Sequence, residues 1–137
     1  RDGVLVSVPT AHETRDIPFR DKTRLAVSIP WGDVSTAFQS TGIPNITVFV
    51  AVPEGQVRAM KAIRHVGPAL GLPLVQRALK GLVDATLTGP DQATRERGST
   101  QVWGRASTKD GRSVEATLTT PEGYTLTART AVDATMR

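Results

Sequence analysis

Residues Arg24–Pro53 read Arg-Leu-Ala-Val-Ser-Ile-Pro-Trp-Gly-Asp-Val-Ser-Thr-Ala-Phe-Gln-Ser-Thr-Gly-Ile-Pro-Asn-Ile-Thr-Val-Phe-Val-Ala-Val-Pro, and their punctuation sets the fold expected of the whole chain. Leu25–Ile29 and Ile46–Val52 are rich in β-branched residues and are bounded by Pro30, Pro44 and Pro53, so each reads as a strand. Between them Asp33 is placed to accept the orphan N–H groups of a helix's first turn. That helix carries Val34, Ala37 and Phe38 on one face; Gly42 offers a left-handed residue to end it, and Pro44 forbids its continuation. Strand, helix and strand in this order predict a crossover, with the helix laid on the sheet and its two strands parallel. Trp31 falls where the first strand ends, a usual place for function in such a unit.

Upstream, Arg1-Asp2-Gly3 and Val4–Pro9 read as a turn and the second arm of a hairpin, because Asp-Gly favours a two-residue turn; the expected first arm would precede Arg1. Thr10–Thr23 is polar and irregular, with Ile17 and Phe19 as a short edge strand. Downstream, Glu54–Val66 spaces Val57, Met60 and Ile63 for one face of a helix. Its other side carries Arg58, Lys61, Arg64 and His65, which suit the helix C-terminus electrostatically or would take an anion. Gly67-Pro68 and Gly71-Leu72-Pro73 read as two breaks. Pro73 then opens a helix to about Val83 with the apolar stripe Leu74, Ala78, Leu79 and Leu82.

Thr88–Gly98 is a polar connector with a turn or two of helix in Asp91–Arg97. Thr100–Thr108 and Arg112–Thr120 flank Lys109-Asp110-Gly111, a hairpin with a three-residue loop. Val114, Ala116 and Leu118 alternate with polar residues, as in a half-buried antiparallel strand. Trp103, on the opposite parity from Val102, Gly104 and Ala106, would cover a second layer or a partner. Thr120-Pro121-Glu122 opens a last helix with a capping hydroxyl and a proline at its first position. Tyr124, Ala128, Ala131, Val132 and Thr135 share one face of it, and no stop signal ends it before Arg137. Both ends of the chain therefore read as cut from something longer.

The totals bound what such a chain can do. Its 137 residues suit one domain, and 39% apolar with 22% charged residues is a globular composition. No run approaches the ~18 apolar residues of a spanning helix, so no membrane span is expected. The absence of cysteine excludes disulfides and thiolate chemistry; with no leader pattern at the start, a cytoplasmic location is expected. A net charge of +4 and a pI near 10.1 raise nucleic acid as a partner. The basic residues are scattered and few aromatics are present to stack on bases, so no nucleic-acid partner is expected.

Catalytic signatures are missing. No Gly-x-Gly-x-x-Gly follows a strand, and there is no phosphate loop, His-x-x-x-His pair or Gly-x-Ser-x-Gly elbow. His12 and His65 stand apart, so no metal site is expected. One dense polar constellation remains: Trp31, Gly32, Asp33, Ser35, Thr36, Ser40, Thr41 and Asn45. Its hydroxyls either bond locally to backbone or, with exposed N–H groups at a helix start, face a polar or anionic ligand.

Ser28-Ile29-Pro30-Trp31-Gly32-Asp33-Val34-Ser35-Thr36-Ala37, followed by Ser40-Thr41-Gly42-Ile43-Pro44-Asn45-Ile46, closely resembles the saccharopine dehydrogenase-like NAD(P)-dependent oxidoreductases, among them bacterial trans-acting enoyl reductases. Val102-Trp103-Gly104, Thr119, Pro121-Glu122-Gly123-Tyr124-Thr125, Thr127-Ala128 and Thr130-Ala131-Val132 are similar to its later pattern, in order. With Arg1-Asp2-Gly3 and Thr14-Arg15 also alike, the resemblance covers essentially the whole chain. It implies a C-terminal substrate-binding and dimerisation domain, residues 1–137, whose partner Rossmann domain holds NAD(P) and is absent from this chain. The implied fold is α+β, a mixed and largely antiparallel sheet with helices packed on one face, as in the C-terminal domain of glyceraldehyde-3-phosphate dehydrogenase.

The same resemblance implies hydride transfer by the intact protein, none by this chain alone, and a homodimer formed through the sheet. Phe38-Gln39 stands where relatives carry an aromatic–His pair, so no catalytic residue is assigned. Trp31, Gly32, Asp33, Ser35 and Thr36 are expected to line the cleft for a small-molecule substrate, with Ser40, Thr41, Tyr124 and Thr125. The alternative is a stand-alone dimeric ligand-binding module that reuses the fold without redox chemistry.

Overall fold

The computed structural model describes residues 1–86 and 89–136, the side chains of 64–69 and of Thr86 excepted. The chain is α+β, with two compact units: Arg1–Ile17 with Thr23–Leu79, and Pro18–Lys22 with Lys80–Arg137. The strands expected in one mixed sheet fall into two sheets, one of three strands and one of two.

In the first unit, β1 (Thr14–Pro18), β2 (Thr23–Ser28) and β3 (Phe49–Ala51) form a sheet in the order β1-β2-β3. The pair β2–β3 is antiparallel, with Ala26 opposite Ala51, Val27 opposite Val50 and Ser28 opposite Phe49. The ladder continues outward through the Ile29 N–H donating to Val48 O at 3.0 Å. The expected parallel crossover is therefore wrong, and the register gives the reason. A crossover must carry the chain back along the whole sheet, whereas residues 29–48 leave β2 at its C-terminal end and rejoin the sheet at that same end. Their helix, α1 (Asp33–Thr41), occupies this excursion.

Two further expectations shift in this unit. Asp33 does not cap α1: Gly32 is the capping residue, with no side-chain capping bond. Gly42 does end the helix as expected, at φ +67° with its N–H donating to Phe38 O. Helix α2 (Glu54–Leu70) runs through Gly67-Pro68 and stops only before Gly71. A proline this close to a helix end removes one hydrogen bond from the last turn and leaves the earlier turns intact. The core is small: Ala11, Val27 and Val57 are buried together, with Leu25, Ile29, Val50, Val52 and Met60 packed around them.

Helix α3 (Pro73–Thr86) begins at Pro73 as expected. In the second unit, Asp91 caps the short α4 (Gln92–Arg97), accepting from the Thr94 N–H at 2.8 Å. The Thr94 hydroxyl first, then this N–H bond, with Arg95 nearby, hold the Asp91 carboxyl below its usual pKa. The expected hairpin is present as β4 (Ser99–Ser107) and β5 (Ser113–Pro121), with Gly111 left-handed at φ +90° in its loop. Glu122, rather than Thr120, caps α5 (Gly123–Thr135): its carboxylate accepts from the N–H groups of Tyr124 at 3.0 Å and Thr125 at 3.2 Å. Pro121 consequently closes β5 instead of opening the helix.

The face of β5 expected to be half-buried is open, with Leu118 59% exposed and Val114 67% exposed. Register pairs these two with Val102 and Ala106, so one side of the β4–β5 ribbon is apolar. Its other side is polar and partly covered: the Trp103 indole N–H donates to Glu115 Oε2 at 3.3 Å, and Arg105 pairs with the same carboxylate.

Candidate ligand-binding site

A cavity of about 570 Å³ lies within the first unit, between the end of β2, helix α1 and the N-terminal segment. Its formation starts with a tight turn. Asp2 and Gly3 both take positive φ, +50° and +75°, and the Val4 N–H donates to Arg1 O at 2.9 Å, so the Asp-Gly turn forms as expected. Val4–Pro9, however, joins no sheet among the described residues. It is instead a strap held at both ends.

At the near end the Gly3 N–H donates to Pro44 O at 2.8 Å, and the Asp2 N–H donates to Asn45 Oδ1 at 3.1 Å. Gly3 also sits so close to the Phe38 ring that an added Cβ would lie 2.8 Å from it. At the far end the Glu13 N–H donates to Ser28 Oγ at 3.0 Å, and the Ser28 N–H donates to Glu13 O at 2.9 Å. Between these clamps Val4, Leu5, Val6 and Val8 line the cavity while remaining half or more exposed. The chain turns sharply at Ala11, which is buried at φ +52°.

The opposite wall is Ile29, Val34, Phe38, Ile46, Val48 and Met60. Polar groups are fewer: Arg1, Thr10, His12, Glu13, Ser28, Ser35, Gln39 and Thr47 reach the lining. Glu13 is engaged by Arg15, whose guanidinium donates to Oε1 at 3.2 Å. Small-molecule sites are typically apolar hollows with a few polar groups, and this hollow has a lining of that kind.

The expected site residues divide. Ser35 lines the cavity. Trp31, Gly32, Asp33 and Thr36 are exposed and are not in its lining, with Trp31 59% exposed. The hydroxyls of α1 turn inward to backbone: Ser35 and Thr36 donate to Gly32 O at 2.9 and 3.2 Å, Ser40 to Ala37 O at 3.2 Å, and Thr41 to Ala37 O at 2.6 Å. Local bonding thus accounts for most of the constellation. Asn45 acts structurally, tying down the N-terminal turn.

Tyr124 and Thr125 belong to the second unit, where they line an open depression with Gln92, Arg95, Glu96 and Arg129. The side chains of Arg64 and His65 lie outside the described residues, so their expected basic cluster is not placed. Sequence reasoning missed the strap altogether. Its signal was present: alternating Val4, Val6 and Val8 after a tight turn must cover something if no strand pairs with them.

Neither β2 nor β3 runs into a glycine-rich turn, and Gly32 is the lone glycine between β2 and α1. Among the described residues no group of three or more His, Asp or Glu could hold a metal ion, and no helix is long and apolar enough to cross a membrane. No family model, curated protein or solved structure matches the chain.

Proposed function

We propose that this chain is the substrate-binding and dimerisation domain of a saccharopine dehydrogenase-like NAD(P)-dependent oxidoreductase, working in the cytoplasm and inactive without a nucleotide-binding domain. The observation that carries the reading is the apolar cavity beside α1, walled by the same stretch whose Ser28–Ile46 motif resembles that family. The intact protein would hold NAD(P) in its other domain and bring the nicotinamide to a substrate seated in this one. The open apolar side of β4–β5, with Val102, Val114 and Leu118, supports dimerisation through that ribbon.

Calorimetry with NADPH tests the division of labour. No binding is expected for this chain, and binding is expected for a form extended upstream of Arg1 to include the nucleotide domain. Tight NADPH binding by the chain itself overturns the reading. A stand-alone dimeric ligand-binding module is the rival, and the mostly apolar wall of the cavity suits it equally. An extended form that binds its ligand but neither binds nor oxidises NADPH selects it. Sedimentation of Leu118→Glu tests the dimer separately: the variant is expected to be monomeric where the parent associates.

A further inference from the structure

Helix α3 divides sharply into two faces. Leu74, Val75, Ala78, Leu79 and Val83 share one broad arc, whereas Gln76, Arg77, Lys80 and Asp84 share the other. In a packed helix the apolar arc is the buried one. Here Leu74 is 79% exposed, Leu79 and Val83 are more than two-fifths exposed, and Leu72 just before the helix is exposed as well. We propose that α3 is an interfacial helix that lays this arc into the surface of an anionic lipid bilayer.

Two arguments favour lipid over a second copy of the chain. The first is area. A 14-residue helix is about 21 Å long, and half the circumference of a cylinder about 10 Å across offers on the order of 300 Å² over that length. A stable protein interface needs about 800 Å² from each partner, with matched shape. A bilayer needs neither, because acyl chains flow around whatever is inserted. The second is charge. Arg77 and Lys80 outnumber Asp84 on the polar arc, so the same arc of a second copy repels it while anionic headgroups attract it. Long basic side chains at this position can also reach up to headgroups while the leucines stay below. This inference is independent of the cavity and of the oxidoreductase reading.

Vesicle co-sedimentation of the full chain tests it, with phosphatidylcholine alone and with phosphatidylcholine mixed with phosphatidylglycerol. Binding is expected to the mixed vesicles and to fall steeply with added salt. The double variant L74Q/L79Q replaces two exposed leucines with good helix formers, so circular dichroism should stay unchanged while binding drops about a hundredfold. Arg77→Gln with Lys80→Gln is expected to lower binding to the mixed vesicles some tenfold or more and to leave any residual binding to neutral vesicles unaltered. A parent chain that stays in the supernatant with both vesicles overturns the proposal. So does a dimer that L74Q/L79Q dissociates without any dependence on lipid, which would assign the arc to a second copy.

Discussion

Ala11 bears three demands at once: it is 2% exposed in the core, it borders the cavity, and its φ is +52°. A non-glycine residue in the left-handed region costs about 1–2 kcal/mol, which the surrounding contacts must offset. Ala11→Gly removes that cost but also one buried methyl group, worth about 0.8 kcal/mol. Urea denaturation should find the variant within about 1 kcal/mol of the parent. Ala11→Val adds bulk to the core and a β-branched side chain to a backbone that rejects it, so a loss of about 2–3 kcal/mol is expected. Gly3 is constrained in a similar way, by φ +75° and by the Phe38 ring. Gly3→Ala should open the turn and speed amide exchange at Gly3 and Val4, and it should weaken any ligand held beneath the strap.

The β4–β5 hairpin owes its loop to two adjacent residues. Gly111 supplies φ +90°, and the Asp110 carboxylate accepts from the Thr108 hydroxyl and, at 2.8 Å, from the Arg112 guanidinium. Gly111→Ala should cost about 1 kcal/mol, read as a lower melting temperature or as fraying of the loop amides. Those bonds, the Thr108 hydroxyl first and Arg112 next, hold the Asp110 carboxyl below its usual value of 3.8. A depressed carboxylate pKa contributes stability above the unfolded-state value, and that stability is lost as pH falls through the lower folded-state value. The loop should therefore stay ordered at neutral pH and loosen only in acid below about pH 4, a change that Asp110→Asn abolishes; two-dimensional NMR of Thr108 and Arg112 would show it.

The elements that sequence foretold are those whose signals are local. The Asp-Gly turn, the Gly42 stop, the Pro73 start and the 109–111 loop each depend on a few neighbouring residues. Strand direction did not follow, because the same strand–helix–strand order serves a crossover or a closed excursion, and only the partner of Ser28 distinguishes them. Glu122 displaced Thr120 as a cap because a longer carboxylate reaches two N–H groups at once. The candidate site was half legible: the α1 side of the hollow lies within the quoted stretch, but its covering strap is an interaction between distant segments.

Across the whole molecule burial is lopsided. Every buried residue among those described, Ala11, Ile17, Ala26, Val27 and Val57, belongs to the first unit. Folding free energy scales with apolar area removed from water, so protection should be concentrated there. Native-state hydrogen exchange should find the slowest amides around Ala26, Val27, Val50 and Ala51, and markedly faster ones throughout β4 and β5. Val27→Ala, at a position with no exposure, should cost about 2 kcal/mol and lower the protection of the first unit. If the ribbon gains its missing cover from another copy, raising the protein concentration should slow exchange at Val102 and Leu118 and leave Val27 unchanged.

The pairing of Ser28 with Phe49 also fixes what the chain can tolerate during divergence. Because residues 29–48 begin and end at adjacent rungs, their length is uncoupled from the ladder that anchors them. Doubling the segment would cost only about 0.6 kcal/mol in loop closure. A guest peptide grafted after Gly42 should thus leave β2 and β3 in register while reshaping one wall of the hollow. Ligand preference could then diversify by insertion, with the supporting strands left untouched.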